Sequence, residues 1–134
     1  MRPARRIVHC SDIHLDNDYY GGERNLERRD YYRGVFARLL GQVLEESPDL
    51  MLLAGDLFDS NRASEDTIRW AMQALETLPF PVVMIPGNHD CLAENAIYRR
   101  FDFNALQNVS LIMEPGGTLV RLESLAVSVW GRGM

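Results

Sequence analysis

The sequence predicts an α/β domain built on a parallel sheet. Apolar runs alternate with amphipathic stretches in the order strand–helix–strand–helix–strand across the first 85 residues. The run "LMLLA" is apolar at every position, as in a strand covered on both faces. Each of the first three runs gives way to a turn carrying carboxylate, imidazole or carboxamide groups.

The elements follow in order. "RRIVHC", residues 5–10, is short and β-branched and reads as the first strand. "DNDYYGGERNLERRD" reads as a polar loop broken by Gly-Gly. From Tyr31 the spacing turns helical, with Tyr32, Val35, Phe36, Leu39, Leu40, Val43 and Leu44 on one face. Ser47-Pro48 closes that helix, because a residue before proline disfavours the α region. "LMLLA", 50–54, is the second strand. Ser64 is a good N-cap for a second helix, with Glu65 and Asp66 in the first turn, where the helix dipole favours anions. Its apolar face is Ile68, Ala71, Met72, Leu75 and Leu78. "PVVMI", 81–85, is the third strand, and a short helix is expected around 94–101. "VSLIM" (109–113), "TLVRL" (118–122) and "LAVSVW" (125–130) read as further strands, separated by turns at Pro115-Gly116-Gly117 and Glu123-Ser124.

Composition narrows the function classes. A length of 134 residues suits one domain, and a net charge of −5 gives no basic footprint for a pure nucleic-acid-binding module. The two cysteines, Cys10 and Cys91, fit neither a disulfide framework nor a zinc motif, so a reducing cytoplasm is the simplest compartment. No apolar stretch is long enough for a signal peptide or a membrane span.

Right-handed crossovers would put the carboxyl ends of the first three strands on one edge, where ligands of open α/β sheets bind. Asp12 and His14 follow the first strand, Gly55, Asp56 and Asp59 the second, and Gly87, Asn88, His89 and Asp90 the third. Any one exit reads equally as an ordinary turn, since Asp, Asn and Gly all favour turns. Three exits on one edge crowd several anionic groups together, and a divalent cation offsets their repulsion best. Carboxylate, imidazole and carboxamide donors suit manganese, iron or zinc better than a thiolate-loving metal. Gly55 and Gly87 let the backbone bend sharply beside the ligands.

The set Asp12-x-His14, Gly55-Asp56-x-x-Asp59 and Gly87-Asn88-His89-Asp90 resembles the calcineurin-like metallophosphoesterase superfamily, over essentially the whole chain but only the N-terminal half of the family's domain. The resemblance implies the N-terminal part of a metallophosphoesterase sandwich, a parallel βαβαβ unit followed by further strands, with helices outside. It implies that Asp12 and His14 bind one metal, that Asp56 bridges two and that Asn88 binds the second. His89 would lie beside the phosphate as the catalytic group, with Asp90 orienting it, and Asp59 would support the turn without being a ligand. The chemistry implied is hydrolysis by water activated between two cations. No serine or cysteine nucleophile is needed. "HCSDIHLD", "AGDLFDS" and "IPGNHD" look most like the SbcD-like branch of DNA double-strand-break repair exonucleases. That implies a DNA phosphodiester as substrate and an SMC-type ATPase as partner. A phosphodiesterase for cyclic nucleotides, a nucleotide-pyrophosphate or nucleotide-lipid pyrophosphatase, and a non-catalytic interaction module are the alternatives.

The family's later "GH" and "GHxH" exits have no counterpart among the three histidines His9, His14 and His89. The second cation would then keep only Asp56 and Asn88, so weak metal binding and slow or absent hydrolysis are expected. The chain, 1–134, is accordingly expected to be a truncated N-terminal portion that self-associates through surface left open.

Elsewhere simpler readings prevail. His9 reads as a packed or hydrogen-bonded histidine, Cys10 as a small core residue, Cys91 as a buried spacer, and Trp70 and Trp130 as packing residues. Tyr19 and Tyr20 read as loop anchors or as stacking partners for a base. Arg24, Arg28, Arg29 and Arg33, interleaved with Glu23, Glu27 and Asp30, read as a solvated charged face rather than as phosphate contacts.

Overall fold

The computed structural model describes residues 3–17 and 24–134, with side chains from residue 30 onward in the second span. Tyr19, Tyr20 and Glu23, and the side chains of Arg24, Glu27, Arg28 and Arg29, lie outside the described residues.

The first three strands are β1 (Ile7–Cys10), β2 (Leu50–Ala54) and β3 (Val82–Ile85), and β4 (Val109–Leu111) follows. All four pair in parallel in the order β1-β2-β3-β4. Helix α1 (Arg24–Glu46) joins β1 to β2, and α2 (Glu65–Glu76) joins β2 to β3. Strands laid down successively in one direction with right-handed crossovers place their helices on one face. The main core is built accordingly. Phe36, Leu40 and Val43 of α1 and Ile68, Ala71 and Leu75 of α2 pack with Met51, Leu53, Val82, Met84, Val109 and Leu111 of the sheet. The opposite face, Leu50, Val83 and Ile112, is covered by an antiparallel hairpin of β5 (Thr118–Leu122) and β6 (Val127–Gly131), through Val120, Leu122, Val127 and Val129. The result is a helix layer, a four-stranded parallel sheet and a two-stranded hairpin.

Helix α2 begins as expected: the Ser64 side chain accepts from the Thr67 amide, and Glu65 and Asp66 occupy the first turn. Helix α1 begins at Arg24, not Tyr31. "RNLERR" lacks apolar periodicity, but its arginines, leucine and glutamate are good helix formers, so propensity extends the helix backward. The helix expected over 94–101 is one turn, α3 (Ile97–Arg100), followed by a 3₁₀ turn at Phe103–Ala105. β6 starts at Val127 rather than residue 125, because a second 3₁₀ turn occupies Glu123–Leu125 and Ala126 is left-handed at φ 54°.

Val35 and Leu44, expected on the apolar face of α1, are 36% and 43% exposed, and two strand side chains also depart from the expected packing. Val8 and Cys10 turn toward the helices, so His9 turns to the hairpin side, where it is exposed at the rim of an apolar cavity of about 260 Å³. Val127 and Val129 of β6 face the sheet, so Trp130 faces outward and is 63% exposed, opposite Leu119. Trp70 packs as expected, against Phe36 and the core. Arg33 lies over the Trp70 ring at 5.7 Å and hydrogen-bonds the Thr67 hydroxyl, so it is a packing residue rather than a phosphate contact. Cys10 packs half-buried against the helix-side core; Cys91 is also half-buried, and both are free thiols. Among the described residues no helix is long and apolar enough to cross a membrane.

Candidate metal centre

The carboxyl ends of β1, β2 and β3 lie on one edge, and their exits are fastened to one another. After β1 the chain alternates: Asp12, His14 and Asp16 adopt φ of 58°, 56° and 60°. Left-handed backbone is uncommon outside glycine, but Asp and His tolerate it better than most residues. The alternation buries Leu15 completely and packs Ile13 on the core, while Asp12 and His14 stay at the rim. It also lets the β1 exit zip along the β2 exit. The amides of Asp12, His14 and Leu15 donate to the carbonyls of Gly55, Asp56 and Leu57 at 3.1, 3.0 and 2.9 Å, and the Asp59 amide returns to Leu15 at 2.9 Å. Asp16, buried, accepts from the Ser64 amide and the Thr67 hydroxyl and ties the loop to the start of α2.

The β2 and β3 exits meet back to back at their glycines. Gly55, at φ 92°, would place a Cβ 2.9 Å from the Gly87 Cα. Asp56 follows, also left-handed at φ 56°, and is 7% exposed. Its Oδ1 accepts from the His89 amide at 2.9 Å, which fixes the third exit against the second.

These contacts gather three of the four expected ligands. His14 Nε2 lies 3.7 Å from Asp12 Oδ1 and 3.8 Å from Asp56 Oδ2. Asp59 Oδ1 takes His14 Nδ1 at 2.8 Å, which turns Nε2 toward the carboxylates. A carboxylate on the far nitrogen of a ligating imidazole is the usual outer partner of a metal site. Asn88 is the exposed residue at the tip of the third turn, immediately before His89.

His89 stands beside this set, its ring 4.7 Å from that of His14 and nearly perpendicular to it. His89 Nδ1 lies 2.8 Å from the Asp59 carbonyl. A carbonyl only accepts, so Nδ1 carries the proton and Nε2 is the exchanging nitrogen. That carbonyl, helped by the charges of Asp56, Asp59 and Asp90 and against partial desolvation, raises the His89 pKa above the ordinary 6.5. Asp12 is shifted the other way: the Ser11 hydroxyl at 2.6 Å, and then His14, hold its pKa below 3.8.

Asp90 does something other than orient the His89 ring by contact. It is fully buried, and its oxygens accept from the amides of Asp56, Gly87 and Phe58 at 3.2, 2.7 and 3.3 Å and from the Tyr98 hydroxyl at 2.7 Å. In the turn after β3, Asn88 and His89 are exposed and Asp90 turns inward. Asp90 therefore acts on His89 through the backbone and through charge.

Sequence reasoning missed Tyr98, Asn61 and Asp16. Asn61 spans two elements, its Nδ2 donating to the Cys91 carbonyl and its Oδ1 accepting from the Ile97 amide, both at 3.0 Å. Asp16 ends the stretch "HCSDIHLD" and Asn61 directly follows "AGDLFDS", but their partners lie 30 to 51 residues away.

The donor set fits a divalent cation. Asp12, His14 and Asp56 each offer an atom within 4.8 Å of the others, all oxygen or imidazole nitrogen, and Asp56 is buried without a neutralising lysine or arginine among its described partners. His14, Asp59 and His89 form a second such group, but there Nδ1 of each histidine is committed to Asp59, which makes it an orienting set.

A family profile described as calcineurin-like phosphoesterase matches residues 5–127. Among solved structures, a nuclease MPE from Pseudomonas putida superposes with a TM-score of 0.54 at 23% identity, over 84% of this chain and 50% of that one. The likeness is one of fold, and this chain spans half that protein's length.

Proposed function

The chain belongs to the calcineurin-like phosphoesterase family, and from that premise we propose that it supplies the Asp12–His14–Asp56 half of a dimetal centre that hydrolyses phosphodiesters in DNA. The observation that carries the reading is the convergence of His14 Nε2, Asp12 Oδ1 and Asp56 Oδ2, with His89 beside them. Asp12, His14 and Asp56 would hold the first cation, and Asp56 with Asn88 the second. Manganese is the metal we favour, with iron and zinc as alternatives. Bound there, divalent cations supply positive charge against the phosphoryl oxygens and acidify water.

The residues do the rest. Asp59 keeps His14 in the tautomer that presents Nε2. Asp56 faces His14 through one oxygen and holds the third turn through the other. His89 holds its proton to higher pH than a free imidazole, so Nε2 is available to donate to a phosphate oxygen or to the departing alkoxide.

DNA as substrate, a repair exonuclease as the full protein and an SMC-type ATPase as partner rest on the likeness of "HCSDIHLD", "AGDLFDS" and "IPGNHD" to that branch. That the chain is the N-terminal portion of such a domain, and that it pairs with itself, is supported by the partly open hairpin side of the sheet, with its cavity of about 260 Å³ and exposed Trp130 and Leu119.

The test is a panel of linear DNA, bis(p-nitrophenyl) phosphate, cyclic nucleotides and a dinucleotide pyrophosphate, each with and without manganese. Slow, manganese-dependent cleavage of DNA and of the nitrophenyl diester is expected. Preferential cleavage of a cyclic nucleotide or a pyrophosphate would contradict the DNA reading. No turnover with metal bound would favour the non-catalytic module.

A further inference from the structure

We propose that Tyr98 is a positioning residue of the metal centre: its hydroxyl secures Asp90, and Asp90 secures the backbone of both turns that carry Asp56 and His89. The inference rests on the metal reading above and adds to it a residue outside the three strand exits.

A carboxylate offers about four lone-pair sites, and Asp90 has four donors. Backbone amides supply three of them: Asp56 and Phe58 on the second exit and Gly87 on the third. Tyr98 supplies the only side-chain donor among these four. Asp90 has no solvent contact to replace a lost partner, and an unpaired buried acceptor is costly. Burial, and then the charge of Asp90, hold the Tyr98 phenol protonated well above its ordinary range, so it remains a donor.

Tyr98 itself is fixed from two sides. Its ring meets Phe103 edge-on at 5.1 Å and Phe58 at 6.3 Å. Its helix is pinned by Asn61, which accepts from the Ile97 amide at 3.0 Å and, through its carbonyl, from Arg100 at 2.7 Å. Asn61 lies two residues beyond Asp59, on the exit that orients His14. The circuit closes from the second exit to α3, through Tyr98 to Asp90, and back to Asp56 and Gly87. Between the two turns so held, the His89 amide donates to Asp56 Oδ1 at 2.9 Å.

Tyr98→Phe keeps the ring and removes the hydroxyl. Val43→Ala weakens the helix-side core at a residue of α1 that is not among the named partners of Asp90 or Tyr98. Two quantities are compared in wild type and both variants: amide hydrogen exchange without metal, and manganese affinity from the free-ion paramagnetic resonance signal. Tyr98→Phe is expected to speed exchange at Asp56, Phe58 and Gly87 while Val83 is unchanged, and to weaken manganese binding by about 10-fold, the low end for loss of an outer partner. Val43→Ala is expected to lower the melting temperature without either change. Manganese affinity within two-fold of wild type in Tyr98→Phe, or an equal loss in Val43→Ala, would overturn the proposal. A wild-type chain that takes up no manganese would instead overturn the metal reading. The exchange pattern would then decide the clamp alone, and unchanged exchange at Asp56, Phe58 and Gly87 would remove it.

Discussion

Replacing Gly87 with alanine is expected to cost about 3 kcal/mol of stability, the upper end for overpacking a close-fitted site. A Cβ at Gly87 would lie 2.2 Å from Asp56 Oδ1, 2.6 Å from the Asp56 amide nitrogen and 2.7 Å from its Cγ. The Asp56 amide nitrogen is backbone, held by Asp90, and cannot swing aside. The side chain is held by the His89 amide, so moving it breaks the bond that joins the second and third exits. The substitution therefore separates the two turns or unfolds the edge they form. Urea denaturation reads the cost directly. A loss below about 1 kcal/mol would mean that the turns are not pressed together as described.

Asp56→Asn is expected to leave the chain folded and to abolish useful metal binding, with manganese affinity down by at least about 100-fold. Loss of an outer partner alone costs about 10- to 100-fold, and Asp56 is placed as a ligand. Asparagine keeps an oxygen for the His89 amide, and the backbone bonds from Asp56 to Asp90 and His14 do not depend on the side chain. What is removed is a buried charge facing His14, close to Asp12 and Asp90. Without metal that charge repels its neighbours, so the metal-free variant should melt no lower than wild type. Calorimetric titration and a melting curve check both halves. Manganese affinity within five-fold of wild type would remove Asp56 from the centre.

The parallel sheet and its three exits were legible because each signal was local. β-branched or all-apolar runs ended on a polar turn, and in two exits Gly55 or Gly87 came just before the ligand candidates. α2 was legible from Ser64 and its acidic first turn. The start of α1 was hidden because a polar helix without an apolar stripe looks like a loop. His9 and Trp130 were misread because their strands were taken as wholly packed. The two-residue strand period, applied to Val8–Cys10 and Val127–Val129, puts both on the opposite face from their buried neighbours.

At the site, Asp12, His14 and Asp56 converge as the motifs implied. The work of Asp90 was not legible. The resemblance implied only that it orients His89, whereas its partners are the amides of Asp56, Phe58 and Gly87 and the Tyr98 hydroxyl, up to 34 residues away. Tyr98 carried no signal at all, because an aromatic in "AIYRR" reads as packing until a buried carboxylate is found beneath its hydroxyl. Asp59 was read as support for its turn. Its larger role is to face both histidines, through a side-chain oxygen to His14 and a carbonyl to His89.

The most direct test is anomalous diffraction at the manganese edge from crystals of the chain grown with manganese. A peak at bonding distance from His14 Nε2, Asp12 and Asp56, with Asp59 still on His14 Nδ1, is the result this account predicts. No peak at saturating manganese, or one seated between Asp59 and His89 with Asp56 out of reach, would contradict it.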